Sequence, residues 1–169
     1  MSTAEVAQPI KLAFDSAGLR MTPEEFDAVD DWDELYRYEL IDGIVIVNPI
    51  PSEAEADPNE LLGALLRIYE RNHPNGKSLD GTLSERYIHF PNHRRRADRV
   101  IWAGLGRRPH PKTDVPTIAV EFVSRVKRNA ERDYETKRDE HLAAGVQEYW
   151  IVDRFRRTRP RTPRGRADG

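Results

Sequence analysis

Thr117-Ile118-Ala119-Val120-Glu121-Phe122-Val123 is apolar almost without a break. A basic turn follows, then a charged segment ending in Ala143-Ala144-Gly145, and then Glu148-Tyr149-Trp150-Ile151-Val152-Asp153. The order reads as strand, turn, helix, strand. A run such as Ile118 to Val123 suits a sheet strand covered on both faces. Glu121 interrupts it. A carboxylate in that position must be paired, protonated or bound to a metal, because an isolated buried charge is costly.

Working outward, the helix after Glu121 spans about Asn129 to Ala144, and Gly145 suits the position just past its end. Helical spacing places Ala130, Tyr134, Lys137, His141 and Ala144 on the inward stripe, so Lys137 faces the core rather than solvent. Upstream, Arg96 to Trp102 reads as a short strand carrying Asp98, preceded by a basic turn, Asn92 to Arg96. Gly104 to Pro116 reads as an exposed loop and Leu83 to Phe90 as a strand. Arg37 to Val47 reads as a hairpin turning at Asp42-Gly43, where both central residues need positive φ. Pro49, Pro51 and Pro58 mark an irregular connection, and Asp57-Pro58-Asn59-Glu60 starts a helix. Leu61, Leu62, Leu65, Leu66, Ile68 and Tyr69 give that helix a broad apolar stripe for packing on the sheet. Thr22-Pro23-Glu24-Glu25 is a capping box opening a short helix.

These elements predict an α/β (α+β) fold: one central mixed sheet of about five or six strands flanked by helices. The expected organisation is a flexible arm over residues 1–20, one domain over 21–153 and an Arg-rich, disordered tail over 154–169. The 169 residues suffice for one domain with a real core. The chain has no cysteine, which excludes disulfides and thiolate metal sites. It also lacks the apolar run of a membrane span and the layout of a signal peptide, so a cytoplasmic protein is expected. The net charge of −2 conceals an asymmetry. Residues 1–85 carry 6 Lys+Arg against 18 Asp+Glu, and residues 86–169 carry 21 against 11. The basic half either meets phosphates or neutralises the acidic half on folding.

Glu39, Asp98 and Glu121 fall in or beside predicted strands. Carboxylates at neighbouring strand ends form an oxygen-rich site suited to Mg²⁺ or Mn²⁺, and a nearby lysine would stabilise developing negative charge. Lys137 is the candidate. The competing reading pairs Glu121 with an arginine, makes Asp98 a turn cap and lets Lys137 snorkel to solvent. The histidines show no metal-ligand spacing, Ser124 has no assignable triad partners, and no phosphate-binding glycine loop is present. Arg94, Arg95, Arg96, Arg125, Lys127 and Arg128 are the candidate nucleic-acid contacts.

The segments RYELIDG (37–43), RRRADRVIW (94–102), PTIAVEFVS (116–124) and RDYETKRDEHLAAGVQEYWIVD (132–153) resemble the Uma-type restriction endonuclease family of the PD-(D/E)XK nuclease superfamily. The likeness runs from about Met21 to Asp153. It implies a restriction-endonuclease-like fold, Mg²⁺-dependent cleavage of DNA and, often, a homodimer. By position it gives Asp98 and Glu121 the metal, Glu39 a peripheral catalytic part, and Lys137 the role of the motif lysine. Val123 occupies the place where the superfamily has that lysine, Ala97 stands before Asp98 instead of proline, and Arg99 replaces an apolar residue. The strand pattern breaks after Asp153, as a truncated or frameshifted end would break it; an Arg-rich DNA-binding arm is the alternative. A nuclease-like module that binds nucleic acid without cutting it and a protein-interaction domain are the other functional expectations.

Overall fold

The computed structural model describes residues 10–123 and 131–153. Near the start, β1 (Lys11–Leu12) and β2 (Asp31–Trp32) pair in parallel, with α1 (Pro23–Asp27) between them in sequence. The capping box forms as read: the Glu25 amide donates to Thr22 Oγ1 at 3.2 Å and the Thr22 amide to Glu25 Oε2 at 2.7 Å.

The hairpin of β3 (Tyr36–Ile41) and β4 (Ile44–Pro49) turns at Asp42 and Gly43, with φ of 50° and 72°. α2 (Glu53–Asn72) follows, then β5 (Leu79–His89), β6 (Arg94–Ala103), β7 (Ile118–Phe122), α3 (Glu131–Ala143) and β8 (Glu148–Val152). Among the described residues the main sheet has six strands in the order β4-β3-β6-β7-β8, with β5 also paired to β6. Only β7 and β8 run parallel in it; the other pairings are antiparallel. This is the mixed, helix-flanked sheet expected.

Three readings change. Helix α2 begins at Glu53, ahead of Asp57, and carries Pro58 inside it; the added turn forms because the Ala56 amide donates to the Ser52 carbonyl at 3.0 Å. Its apolar stripe is wider than the arc that meets the sheet. Leu62 and Leu66 pack on Leu79, Ile101 and Val120, whereas Leu61, Leu65 and Ile68 stay exposed. The third concerns residues 94–96, which open β6 instead of forming a turn. On the other face, Val146 and Ala144, just after α3, pack with Phe90, Val100, Trp102 and Ala119.

The period of two slips once, in two paired strands, at one level. Val100 and Ala97 of β6, and Ile88 and Leu83 of β5, all pack in one cluster. Each pair has odd separation, so strict alternation would send its members to opposite faces. Between them, Ser84 pairs with Arg99 and Arg86 with Ala97, while Glu85 has φ of 54°. A non-glycine residue there is uncommon and strained. The slip places Asp98 and Glu85 across from each other, and it is where the cleft opens.

Candidate active site

The β6–β7 pairing ends at Arg99 with Val120, so one more step of register sets Asp98 opposite Glu121. Asp98 Oδ2 accepts the Phe122 amide at 2.7 Å, which fixes its carboxylate beside the end of β7. Helix α3 lays Lys137 over this point. Its Nζ stands 3.5 Å from Glu121 Oε2, and the two residues are only 4% and 5% exposed. Burial at this level admits charges only as partners. Lys137 therefore faces inward, as the helical spacing implied, and does not snorkel.

Two contacts hold α3 in place. Arg95 Nε and Nη2 donate to Glu140 at 2.7 and 3.0 Å, one turn beyond Lys137. The helix then stops at a Schellman turn: Gly145 has φ of 94°, its amide donates to the Leu142 carbonyl at 3.0 Å, and the Val146 amide to the His141 carbonyl at 3.1 Å. Burial would raise the Glu140 carboxyl, but the Arg95 hydrogen bond and charge outweigh it and hold the pKa low. His141 is fully buried against Phe90 and Tyr149. Burial pushes its pKa down to about 4; the Lys137 carbonyl, which favours the protonated ring, does not compensate.

Glu39 is tied into the sheet. Its Oε1 accepts the Arg96 amide at 2.9 Å and its Oε2 the Asn48 side chain at 3.5 Å, so it joins β3, β4 and β6 at the cleft margin. The remaining wall is a charge group that the strand pattern gave no reason to expect. Arg37 Nη2 lies 2.6 Å from Glu85 Oε1, Arg96 Nε 3.1 Å from Glu85 Oε2, and Arg37 Nη1 3.8 Å from Asp98 Oδ1. Burial pushes the Glu85 carboxyl up and the Asp98 charge adds to this, against Arg37 and Arg96. No residue-type pattern announces Glu85; its signal is a backbone outlier.

These groups line a cleft of roughly 320 Å³ together with Pro49, Pro51, Pro58 and Phe122. Among the described residues it carries four carboxylates (Glu39, Glu85, Asp98, Glu121) and three cations (Arg37, Arg96, Lys137). Among the described residues no group of three or more His, Cys, Asp or Glu side chains is arranged around one point to hold a metal. The donor set still fits a small divalent ion, because Mg²⁺ uses one or two carboxylates and keeps several waters. Restriction-endonuclease-like proteins generally use divalent metals.

The basic candidates separate. Arg94 forks onto Asp27 at 2.7 to 3.0 Å and also donates to the Phe90 and His93 carbonyls, and Arg95 is spent on Glu140; both are buried. Neither turns its guanidinium to solvent, where the candidate nucleic-acid contacts were expected. Arg96 alone of the three borders the cleft. Arg125, Lys127 and Arg128 lie outside the described residues. Arg99, the charge that replaces an apolar residue, turns under α2. Its guanidinium donates to Asn59 Oδ1 at 2.7 Å, the Asn59 carbonyl at 2.8 Å and Thr82 Oγ1 at 3.2 Å. Asn59 in turn donates to the Asp98 carbonyl at 2.7 Å.

The arrangement is a mixed sheet with acids on adjoining strands and a lysine from the helix that follows. The chain belongs to the family described as "Putative restriction endonuclease" (Uma2), whose sequence profile matches residues 23–162. Among solved structures, it is similar to a putative nuclease of the DUF820 family from Anabaena variabilis: 16% identity, 79% of this chain and 74% of that one covered, TM-score 0.62. At that identity the likeness establishes the fold. No curated protein matches the sequence. No helix of the described residues is long and apolar enough to cross a membrane.

Proposed function

We propose that the protein is a divalent-metal-dependent endonuclease that hydrolyses phosphodiester bonds of DNA. The observation that carries this reading is the buried Lys137–Glu121 pair set beside Asp98 in one cleft. Asp98 and Glu121 would hold Mg²⁺ or Mn²⁺, and such an ion, when bound, supplies Lewis acidity and an acidified water. Lys137 brings a fixed positive charge to where negative charge develops on the phosphate, with no reorganisation needed. Glu39 holds the β6 backbone two residues before Asp98 and so positions that carboxylate. Phe122 does the same through its amide.

Plasmid nicking in Mg²⁺ tests the reading. The expected result is nicking that disappears in EDTA and falls about 10²-fold or more in Asp98→Ala and Glu121→Ala. Wild-type activity retained by both variants would remove Asp98 and Glu121 from the chemistry. A second reading, a module that binds nucleic acid without cutting it, is favoured by Arg37 standing 3.8 Å from Asp98 as an internal cation. It predicts salt-sensitive DNA binding and no Mg²⁺-dependent nicking. A homodimer in the cytoplasm completes the proposal; Leu61, Leu65 and Ile68 on α2 offer an exposed apolar stripe to a second copy. Light scattering in solution decides the oligomeric state.

A further inference from the structure

We propose that Arg37 and Arg96, which share the Glu85 carboxylate on the cleft wall, form a phosphate-binding subsite for the nucleic-acid strand. Glu85 acts as a latch that phosphate oxygens displace. The proposal rests on the nuclease reading for its ligand, but on separate residues for its evidence.

Three observations converge. First, two guanidiniums from different strands meet on one carboxylate, at 2.6 and 3.1 Å. The group carries one net positive charge, and its side chains keep 19% to 26% of their surface open. That is enough access for exchange of one oxyanion for another; the guanidiniums of Arg94 and Arg95 are more enclosed, with 10% and 8% of their side-chain surface open. Guanidinium forks match carboxylate and phosphate oxygens alike. Second, Glu85 is held at φ of 54°. A residue left in that region marks a site where aim outweighs local stability. An extended residue would keep the strand in phase; the left-handed one delivers the carboxylate to both arginines. Third, the place is right. Arg37 reaches within 3.8 Å of Asp98 while Lys137 stands on the Glu121 side, so a strand laid along the cleft meets cations at both ends of the acidic pair. Arg96 is further braced over the Tyr87 ring at 5.5 Å, which keeps its fork in place when Glu85 lets go.

A structural ion cluster and a binding subsite differ in the sign of one effect. As mere scaffolding, Glu85 stabilises the arginines, and its loss harms everything they do. As a latch, it competes with the ligand.

The test uses the full chain in EDTA, so that no cleavage occurs, and a fluorescein-labelled DNA duplex read by anisotropy across a salt series. Arg37→Met and Arg96→Met are expected to weaken binding about tenfold each, and to reduce the slope of log affinity against log salt by about one. Glu85→Gln is expected to tighten binding several-fold. Arg37→Lys is expected to keep the salt slope while losing much of the affinity, because the charge remains and the fork does not. Arg71→Met, an equal charge change on the exposed end of α2, serves as control and is expected to do less than Arg37→Met. Thermal melts establish that each variant is folded at the binding temperature. Weakened binding in Glu85→Gln, equal effects of Arg71→Met and Arg37→Met, or a wild-type protein that binds no duplex would each overturn the subsite. Inorganic phosphate displacing the duplex at equal phosphate concentration would assign the site to free phosphate and overturn it as a strand contact. Failure here is separable from failure of the nuclease reading, which is decided by nicking in Asp98→Ala. Nicking lost in Asp98→Ala with binding unmoved in Arg37→Met sinks only the subsite.

Discussion

Lys137 and Glu121 are each nearly excluded from water and lie within 3.5 Å of one another, so neither can lose its neighbour cheaply. Lys137→Met is expected to cost about 3–5 kcal/mol of stability, since it strands a buried carboxylate. Nicking should fall at least as far as in Asp98→Ala, measured at a temperature where the melt shows the variant folded. His141 makes a second prediction at this scale. Its folded pKa of about 4 lies below the ordinary histidine value near 6.5, so the unfolded chain takes up a proton first. Stability is then fully present above about pH 6.5 and is lost as pH falls towards 4, by about 3 kcal/mol at most. Melts at pH 7.5 and 5 should separate in wild type and converge in His141→Leu; parallel shifts in both would exclude the ring as the cause. Glu121 and the inward aim of Lys137 could both be read beforehand, one from a charge in an apolar run and the other from helical spacing. Arg37 and Glu85 could not. Their meeting depends on a left-handed residue within a strand, and nothing in the residue types around Ser84-Glu85-Arg86 distinguishes it from ordinary alternation.

At the scale of elements, α2 is seated on β6 through a polar contact as well as leucines. A Cβ on Gly63 would come within 2.6 Å of Arg99 Nη2, so this helix turn approaches the guanidinium as closely as glycine permits. Gly63→Ala is expected to cost about 1–3 kcal/mol by chemical denaturation, while Arg99→Met in the same background should relieve the crowding. Additive losses would disprove the contact. At the other helix, Gly145→Ala forces a side chain into φ of 94°, with an expected loss of about 1 kcal/mol and no direct effect on the cleft. The end of α3 was visible in advance because Ala143-Ala144-Gly145 contains the residue that such a turn requires. The start of α2 was not. Pro58 reads as a boundary, yet the helix forms before it, since neighbouring contacts override a local preference.

For the molecule as a whole, the acidic and basic halves of the chain meet in Asp27 with Arg94 and in Glu85 with Arg96. Part of the basic half is thus spent internally rather than offered to a partner. The sheet could be foreseen because its strands are separated by strong punctuation, such as Asp42-Gly43. Of the cleft's charged groups, Glu39, Arg96, Asp98, Glu121 and Lys137 could be named in advance, but Arg37 and Glu85 could not, since the cleft gathers residues from β3, β4, α2, β5, β6, β7, α3 and β8, whose distances apart in sequence carry no signal. Arg99 has a last implication, for the coupling between a helix and the cleft. Through Asn59 it ties α2 to the backbone carbonyl of Asp98. Cutting that tie, as in Asn59→Ala, should let the β6 amides near Asp98 exchange with deuterium faster than in wild type.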